Sequence, residues 1–177
     1  MNKILAFGAS SSQNSINKRL ANFTANQIDD VEVLLLDLND FEMPIYSIDK
    51  ENENGIHELA QKFKQHILEA DGIVISFAEH NGAYSAAFKN IYDWVSRIDA
   101  NVWGNKPMFL LATSPGGRGG KGVLELAISR FSFGNKATIA SFSLPSFYQN
   151  FSDESGVNDK DLLVEFKRQL QIFKNSL

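Results

Sequence analysis

The chain has 177 residues, 44% of them hydrophobic, which is enough for one domain with a full core, and it contains no cysteine, which excludes disulfides, thiolate catalysis and Cys-ligated metals. Its 17 Lys and Arg against 21 Asp and Glu leave a net charge of −4, which argues against nucleic acid as a partner and is modest for an electron carrier that docks through a strongly acidic surface. No apolar run approaches the ~18 residues of a membrane span, and Met1-Asn2-Lys3-Ile4-Leu5 lacks a signal-peptide pattern, so a soluble cytoplasmic protein of one domain over residues 1–177 is expected.

In chain order, Lys3–Phe7 reads as a first strand and Ser15 to about Ile28 as a first helix, with Ile16, Leu20 and Phe23 at helical spacing. Between them lies a tight loop rich in serine: Ser10, Ser11, Ser12 and Ser15. Two readings of this loop stay open. Ser and Asn cap helices in any case. A strand–loop–helix junction is also where backbone N–H groups and the helix dipole favour a phosphate. No Lys or Arg precedes Lys18 after the strand, so a phosphate here would be held mainly by neutral donors. Neither a dinucleotide fingerprint nor a P-loop is present.

Val31–Leu36 is a second strand, and its run Val33-Leu34-Leu35-Leu36 predicts burial on both faces. Residues 38–54 read as a long loop carrying Pro44 and Tyr46. Ile56, Leu59, Ala60, Phe63, Ile67 and Leu68 mark a helix from about Ile56 to Glu69, and Ile73–Phe77 is a third strand. A second unusual loop, Ala78 to Tyr84, contains Glu79, His80, Asn81 and Gly82, and leads into a helix from Ser85 to about Arg97. Pro107–Thr113 is a fourth strand. It opens a third loop, Ser114-Pro115-Gly116-Gly117-Arg118-Gly119-Gly120, whose glycines permit positive φ or close approach to a ligand. A helix from about Val123 to Phe131, a strand Ala137–Leu144, a loop with Pro145 and Phe147 to Phe151, and a helix from Asp159 to about Phe173 complete the chain.

This alternation implies an α/β fold with a parallel sheet covered by helices on both faces, and five strands suit the flavodoxin-like order 2-1-3-4-5. In such sheets the ligand lies beyond the carboxyl ends of the strands, near the switch point between strands 1 and 3. The loops after strands 1, 3 and 4 share that rim. Their agreement favours the phosphate reading over capping alone.

The segment Ala9 to Asn17, with Leu20-Ala21 after it, resembles the phosphate loop of the NAD(P)H-dependent FMN reductase family, Gly-Ser-x-(Arg/Ser)-x-x-Ser-x-Asn-x-x-Leu-Ala. Glu79-His80-Asn81-Gly82 and Phe88-Lys89-Asn90 to Asp93-Trp94 are similar to its Pro-Glu-Tyr-Asn-x-Ser and Leu-Lys-Asn-x-x-Asp-Trp segments. Ser114 to Gly120 resembles its Gly-rich loop, and the stretch with Pro44, Tyr46 and Asp49 its Leu-Pro-x-Tyr segment. The chain departs from the pattern at Ala9, Ser12, Ala78, His80 and Ala83.

The resemblance implies a flavodoxin-like FMN-binding domain. In it Ser10, Ser12, Ser15, Ile16 and Asn17 bind the FMN phosphate through hydroxyl, side-chain amide and backbone N–H. Glu79, His80, Asn81 and Gly82 line the ribityl chain and isoalloxazine, and Ser114, Pro115, Gly116 and Gly117 approach the pyrimidine end of the ring. Lys89, Asn90, Asp93 and Trp94 are read as structural. The activity implied is hydride transfer from NADH or NADPH to bound FMN, then two electrons to a small acceptor such as a quinone, free flavin, azo or nitro compound. The flavin supplies the chemistry, so no catalytic side chain is expected. His80 is either a group at the ring edge or a plain loop histidine, and Arg118 either meets a nicotinamide-nucleotide phosphate or lies on the surface. The resemblance also implies a homodimer or homotetramer, with Trp103 or Tyr148 as candidate boundary aromatics. Two alternatives remain: a flavodoxin-like electron carrier without NAD(P)H activity, and a flavin-free interaction module.

Overall fold

The computed structural model describes all residues, Met1–Leu177. Five strands form one parallel sheet in the order β2-β1-β3-β4-β5: β1 Asn2–Ala9, β2 Val31–Leu36, β3 Gly72–Phe77, β4 Met108–Thr113 and β5 Ile139–Leu144. Helices α1 (Ile16–Ala25) and α7 (Lys160–Lys174) pack on one face, around Leu20, Phe109, Phe166 and Phe173. Helices α3 (Glu58–Glu69), α4 (Ala86–Ile98) and α5 (Lys121–Gly134) cover the other, around Phe7, Phe63, Phe77, Phe88 and Phe131. The crossovers β1–β2, β3–β4 and β4–β5 join parallel neighbours, and the one from β2 to β3 passes over β1, where the winding reverses.

The central strands are apolar throughout because both of their faces are covered; every residue of β3 and β4 is buried. The same reading does not hold for β2. It lies at the sheet edge, where Val33, Leu34 and Leu35 are only half-buried and Leu36 alone is fully enclosed. Helix starts follow the capping residues. Ser15, Ser85 and Asp159 each accept a backbone N–H three residues on, from Lys18, Phe88 and Leu162.

Two stretches expected as loops carry structure. Residues 38–54 hold a 3₁₀ turn, Leu38–Phe41, and a helix α2, Ile48–Asn54. Helix α2 buries no residue, so it leaves no apolar periodicity to read. It stands on the Ser47 cap and the acidic first turn of Asp49 and Glu51. After β5 the chain forms a one-turn helix α6, Phe147–Asn150, and a hairpin of β6 (Phe151–Ser152) with β7 (Gly156–Val157). Gly156 has φ +71°, and a Cβ there would lie 2.0 Å from the Phe23 ring, so the hairpin closes on α1 only with glycine.

Lys64 is enclosed, yet its ammonium is satisfied by Asp99 Oδ2 at 3.0 Å and the carbonyls of Asn101 and Val102 at 2.9 Å, which fastens the turn after α4 to α3. Trp103 is 3% exposed and packs on Phe131, so it cannot serve as a boundary aromatic. No helix is long and apolar enough to cross a membrane.

Candidate functional site

The site starts from how closely α1 sits on β1. A Cβ at Gly8 would lie 2.4 Å from the Lys18 amide nitrogen and 2.6 Å from its Cα, so the helix start can rest on the strand end only where there is no side chain. The intervening loop organises itself. Ser10 N–H donates to Gly8 O at 2.8 Å, Ser12 N–H donates to Ser10 Oγ at 3.1 Å, and Ser15 Oγ accepts Lys18 N–H at 3.1 Å. The N–H groups of Ile16 and Asn17 fall in the first turn, where no carbonyl within the helix can reach them.

Asn17 is 3% exposed and points inward. Its Oδ1 accepts Ser76 Oγ–H at 2.7 Å and Thr113 N–H at 3.1 Å, while its Nδ2 donates to Thr113 O at 3.2 Å. One amide thus ties α1 to the ends of β3 and β4. The side chain is committed to the fold, which leaves its backbone N–H, in the first turn, as the Asn17 donor without an intrahelical partner. The expectation that its side-chain amide meets a phosphate is corrected accordingly.

The nearest cations are also committed. Lys18 pairs with Asp37 at the end of β2, and that contact holds the Asp37 carboxyl below its ordinary value. Arg19 forks onto Asp153 at 3.0 and 2.9 Å. The donors left around the loop are neutral, as the sequence implied.

In the second loop, His80 and Ala83 exchange backbone hydrogen bonds of 3.0 and 3.1 Å across Asn81 (φ +53°) and Gly82 (φ +77°). Positive φ at both central residues makes this a type I′ turn, the geometry that an Asn-Gly pair favours. Ser85 links this loop to the first, donating to Ala9 O at 2.9 Å. Glu79 is not a solvated carboxylate. It accepts Val123 N–H at 2.9 Å, and its Oε2 would lie 3.1 Å from a Cβ at Gly122. Helix α5 has Gly120 at its N-cap and no capping side chain of its own, so Glu79 caps it from another loop and meets the positive end of its dipole.

In the third loop, Gly119 (φ +58°) and Gly120 (φ +71°) carry the unusual backbone, and a Cβ on Gly119 would strike Pro145 N at 2.8 Å. A Cβ at Gly117 would meet nothing within 4 Å and one at Gly116 only Ser114 Oγ at 3.9 Å, so both face open space. Gly116 O accepts Ser146 N–H, and Ser114 O accepts Phe147 N–H, both at 3.0 Å, so the stretch after β5 is stitched to this loop. Arg118 is exposed.

These loops enclose a polar cleft of about 270 Å³. Ser10, Ser12, Ser15, Ile16, Asn17, Glu79, His80, Ser114 and Pro115 all line it. Asn81 and Gly82, at the turn tip, and Gly116 and Gly117, on the exposed loop, stand outside it. Asn14, Ala78, Thr113 and Tyr148 complete the lining and were not singled out as binding residues from the sequence. An Asn just before the helix-capping Ser15 and a Tyr from the segment after the last strand carry no local signal of their own. Only the rim they share marks them.

A second, more apolar cavity of about 350 Å³ adjoins the loop at Ser11 and reaches Phe41, Met43, Ile45 and Ile91. Its wall is fastened by Asn90, which accepts Tyr46 N–H at 2.9 Å and donates to Met43 O at 3.0 Å, and by Trp94 Nε1–H, which donates to Pro44 O at 2.8 Å. The Lys-Asn-x-x-Asp-Trp segment therefore clasps the stretch after β2.

Replacing Glu79 with alanine is expected to lower stability by about 1–2 kcal/mol, a shift of roughly 2–8 °C in melting temperature. Glu79→Gln keeps an acceptor and is expected to lose less. Thermal melts followed by circular dichroism check this, and an unchanged alanine variant would show that the cap carries no weight.

A cleft of hydroxyls and first-turn N–H groups, without a free cation, beside an open glycine surface, fits a phosphate monoester on a polyol chain that ends in a flat ring. Comparison with known proteins points the same way. The sequence model of NADPH-dependent FMN reductase matches residues 2–149. The chain is 33% identical over 140 residues to an NADPH:quinone oxidoreductase of Arabidopsis thaliana, covering 74% of this chain and 69% of that one. It is 35% identical over 119 residues to a 2-hydroxy-1,4-benzoquinone reductase of Burkholderia sp., covering 66% of this chain and 63% of the relative, just under two thirds of its length. Its fold superposes on that of FerB, a flavoenzyme NAD(P)H:(acceptor) oxidoreductase from Paracoccus denitrificans, with a TM-score of 0.77 at 20% identity, over 99% of this chain and 97% of that one. With the sheet order, the strand-end loops and the family match in agreement, the chain belongs to the NADPH-dependent FMN reductase family.

Proposed function

We propose that this NAD(P)H-dependent FMN oxidoreductase holds FMN in the cleft at the ends of β1, β3 and β4 and reduces small flat acceptors, quinones and azo compounds foremost. The observation that carries the placement is the convergence of nine of the residues expected from the sequence on one polar cleft. The hydroxyls of Ser12 and Ser15 and the N–H groups of Ile16 and Asn17 hold the phosphate, where the α1 dipole favours its charge. Backbone groups of residues 79–82 and 114–117 orient the ring, and the open surface at Gly116 and Gly117 leaves room for it.

When bound, FMN supplies hydride acceptance from NAD(P)H and delivery of electrons to the acceptor. The chain contributes position. Glu79 couples the second and third loops through α5, Ser85 couples the second to the first, and Asn17 fastens all of them to the sheet. The acceptor class follows from relatives named as quinone reductases and from an NADPH azoreductase of Bacillus sp., 35% identical over 97 residues. One domain over residues 1–177, a cytoplasmic location and a homodimer or homotetramer belong to the same reading. Exposed Ile45, beside the second cavity, suits a subunit boundary.

The test is spectroscopic. The purified protein should be yellow, NADPH or NADH without oxygen should bleach the flavin band within seconds, and a benzoquinone should restore it. Flavin that stays oxidised would replace this reading with an electron carrier. A colourless protein that cannot be reloaded with FMN would leave only an interaction module.

A further inference from the structure

We propose that Tyr148 completes the phosphate cradle by donating its phenol hydroxyl to the phosphoryl group, with Arg19 as the positioning residue that holds it there. This rests on the FMN reading above.

The donors expected from the sequence come from the loops after β1, β3 and β4. Tyr148 comes from a fourth, after β5, and lines the same cleft as Ser10, Ser12 and Ser15. It is 69% exposed, so the side chain is accessible to a ligand that enters the cleft. With Lys18 and Arg19 both held by carboxylates, a further neutral donor is the means the chain has to add binding energy at a phosphate.

Its placement is built rather than incidental. Ser146 takes a left-handed backbone, φ +48°, and the next two N–H bonds, Ser146 to Gly116 O and Phe147 to Ser114 O, pin the segment to the third loop. Phe147 is buried directly beneath, with its ring edge-on to Tyr148 at 5.5 Å. Arg19 lies 5.0 Å over the Phe147 ring while its fork holds Asp153. Arg19 sits four residues after the Ser15 cap. One helix therefore offers its N-terminus to the phosphate and grips, with its flank, the segment that carries Tyr148.

Flavin-stripped protein is titrated with FMN and with riboflavin, which lacks the phosphate, and flavin fluorescence is read. Tyr148→Phe is expected to weaken FMN about tenfold and to leave riboflavin within about twofold. Its melting temperature should stay that of the parent, because the side chain is a surface one. Arg19→Ala should weaken FMN similarly, and the double variant should be no weaker than Tyr148→Phe alone, since both act through one contact. FMN affinity unchanged in Tyr148→Phe, equal loss of FMN and riboflavin, or additive effects in the double variant would each overturn the proposal while leaving the FMN reading intact. A parent protein that binds no FMN would overturn both.

Discussion

Gly8→Ala is expected to lower stability by about 4 kcal/mol, or roughly 8–16 °C in melting temperature, and to abolish FMN retention. The added methyl would sit 2.4 Å from one backbone atom of α1 and 2.6 Å from another. No rotamer change relieves a clash with main chain. The helix start must lift off β1, and the lift is transmitted to the groups that define the site: the Ser15 cap, the free N–H groups of the first turn and the inward Asn17. Urea unfolding gives the stability loss, and flavin content after purification gives the loss of retention. An alanine variant that melts with the parent and remains yellow would mean that α1 can shift without cost.

Asn17→Ala comes next in size, at about 3 kcal/mol. The substitution removes three hydrogen bonds at once and strands the N–H and C=O of Thr113 and the Ser76 hydroxyl, all in the interior. Asn17→Asp separates the two consequences. It keeps both acceptor bonds and loses only the donation to Thr113 O, so it should be more stable than the alanine variant. It also places a carboxylate beneath the phosphate cleft, so FMN binding should fall further relative to stability. Paired denaturation curves and FMN titrations check this. An aspartate variant that binds FMN as tightly as the parent would show that the phosphate lies away from this helix start.

The two predictions concern residues whose importance was visible in the sequence to different degrees. Gly8 precedes the serine loop and is an ordinary strand-end glycine until the helix is laid on it. Asn17 belonged to the expected site, but on the ligand side, where its side chain is not. The segment after β5 showed only Pro145 and a run of aromatics. Which of these lies beneath the surface (Phe147, under Arg19 from the other end of the chain) and which lines the cleft (Tyr148) is seen only in the folded chain.

What the sequence determined by itself is the architecture and the rim that carries the candidate site. Apolar runs of strand length alternate with helical spacing, and a buried parallel sheet is the layered arrangement that hides both. Serines at a helix start, an Asn-Gly pair and a glycine cluster state their local backbone without help from the rest of the chain. The tertiary structure alone decided which atoms line the cleft and which hold the loops in place. Asn17 bonds across 96 residues to Thr113, and Glu79 across 44 to Val123. Such bonds follow from where the sheet brings strand ends together. Local sequence constrains φ, ψ and burial pattern, whereas the direction in which a polar side chain finds its partner is set by neighbours that only folding supplies.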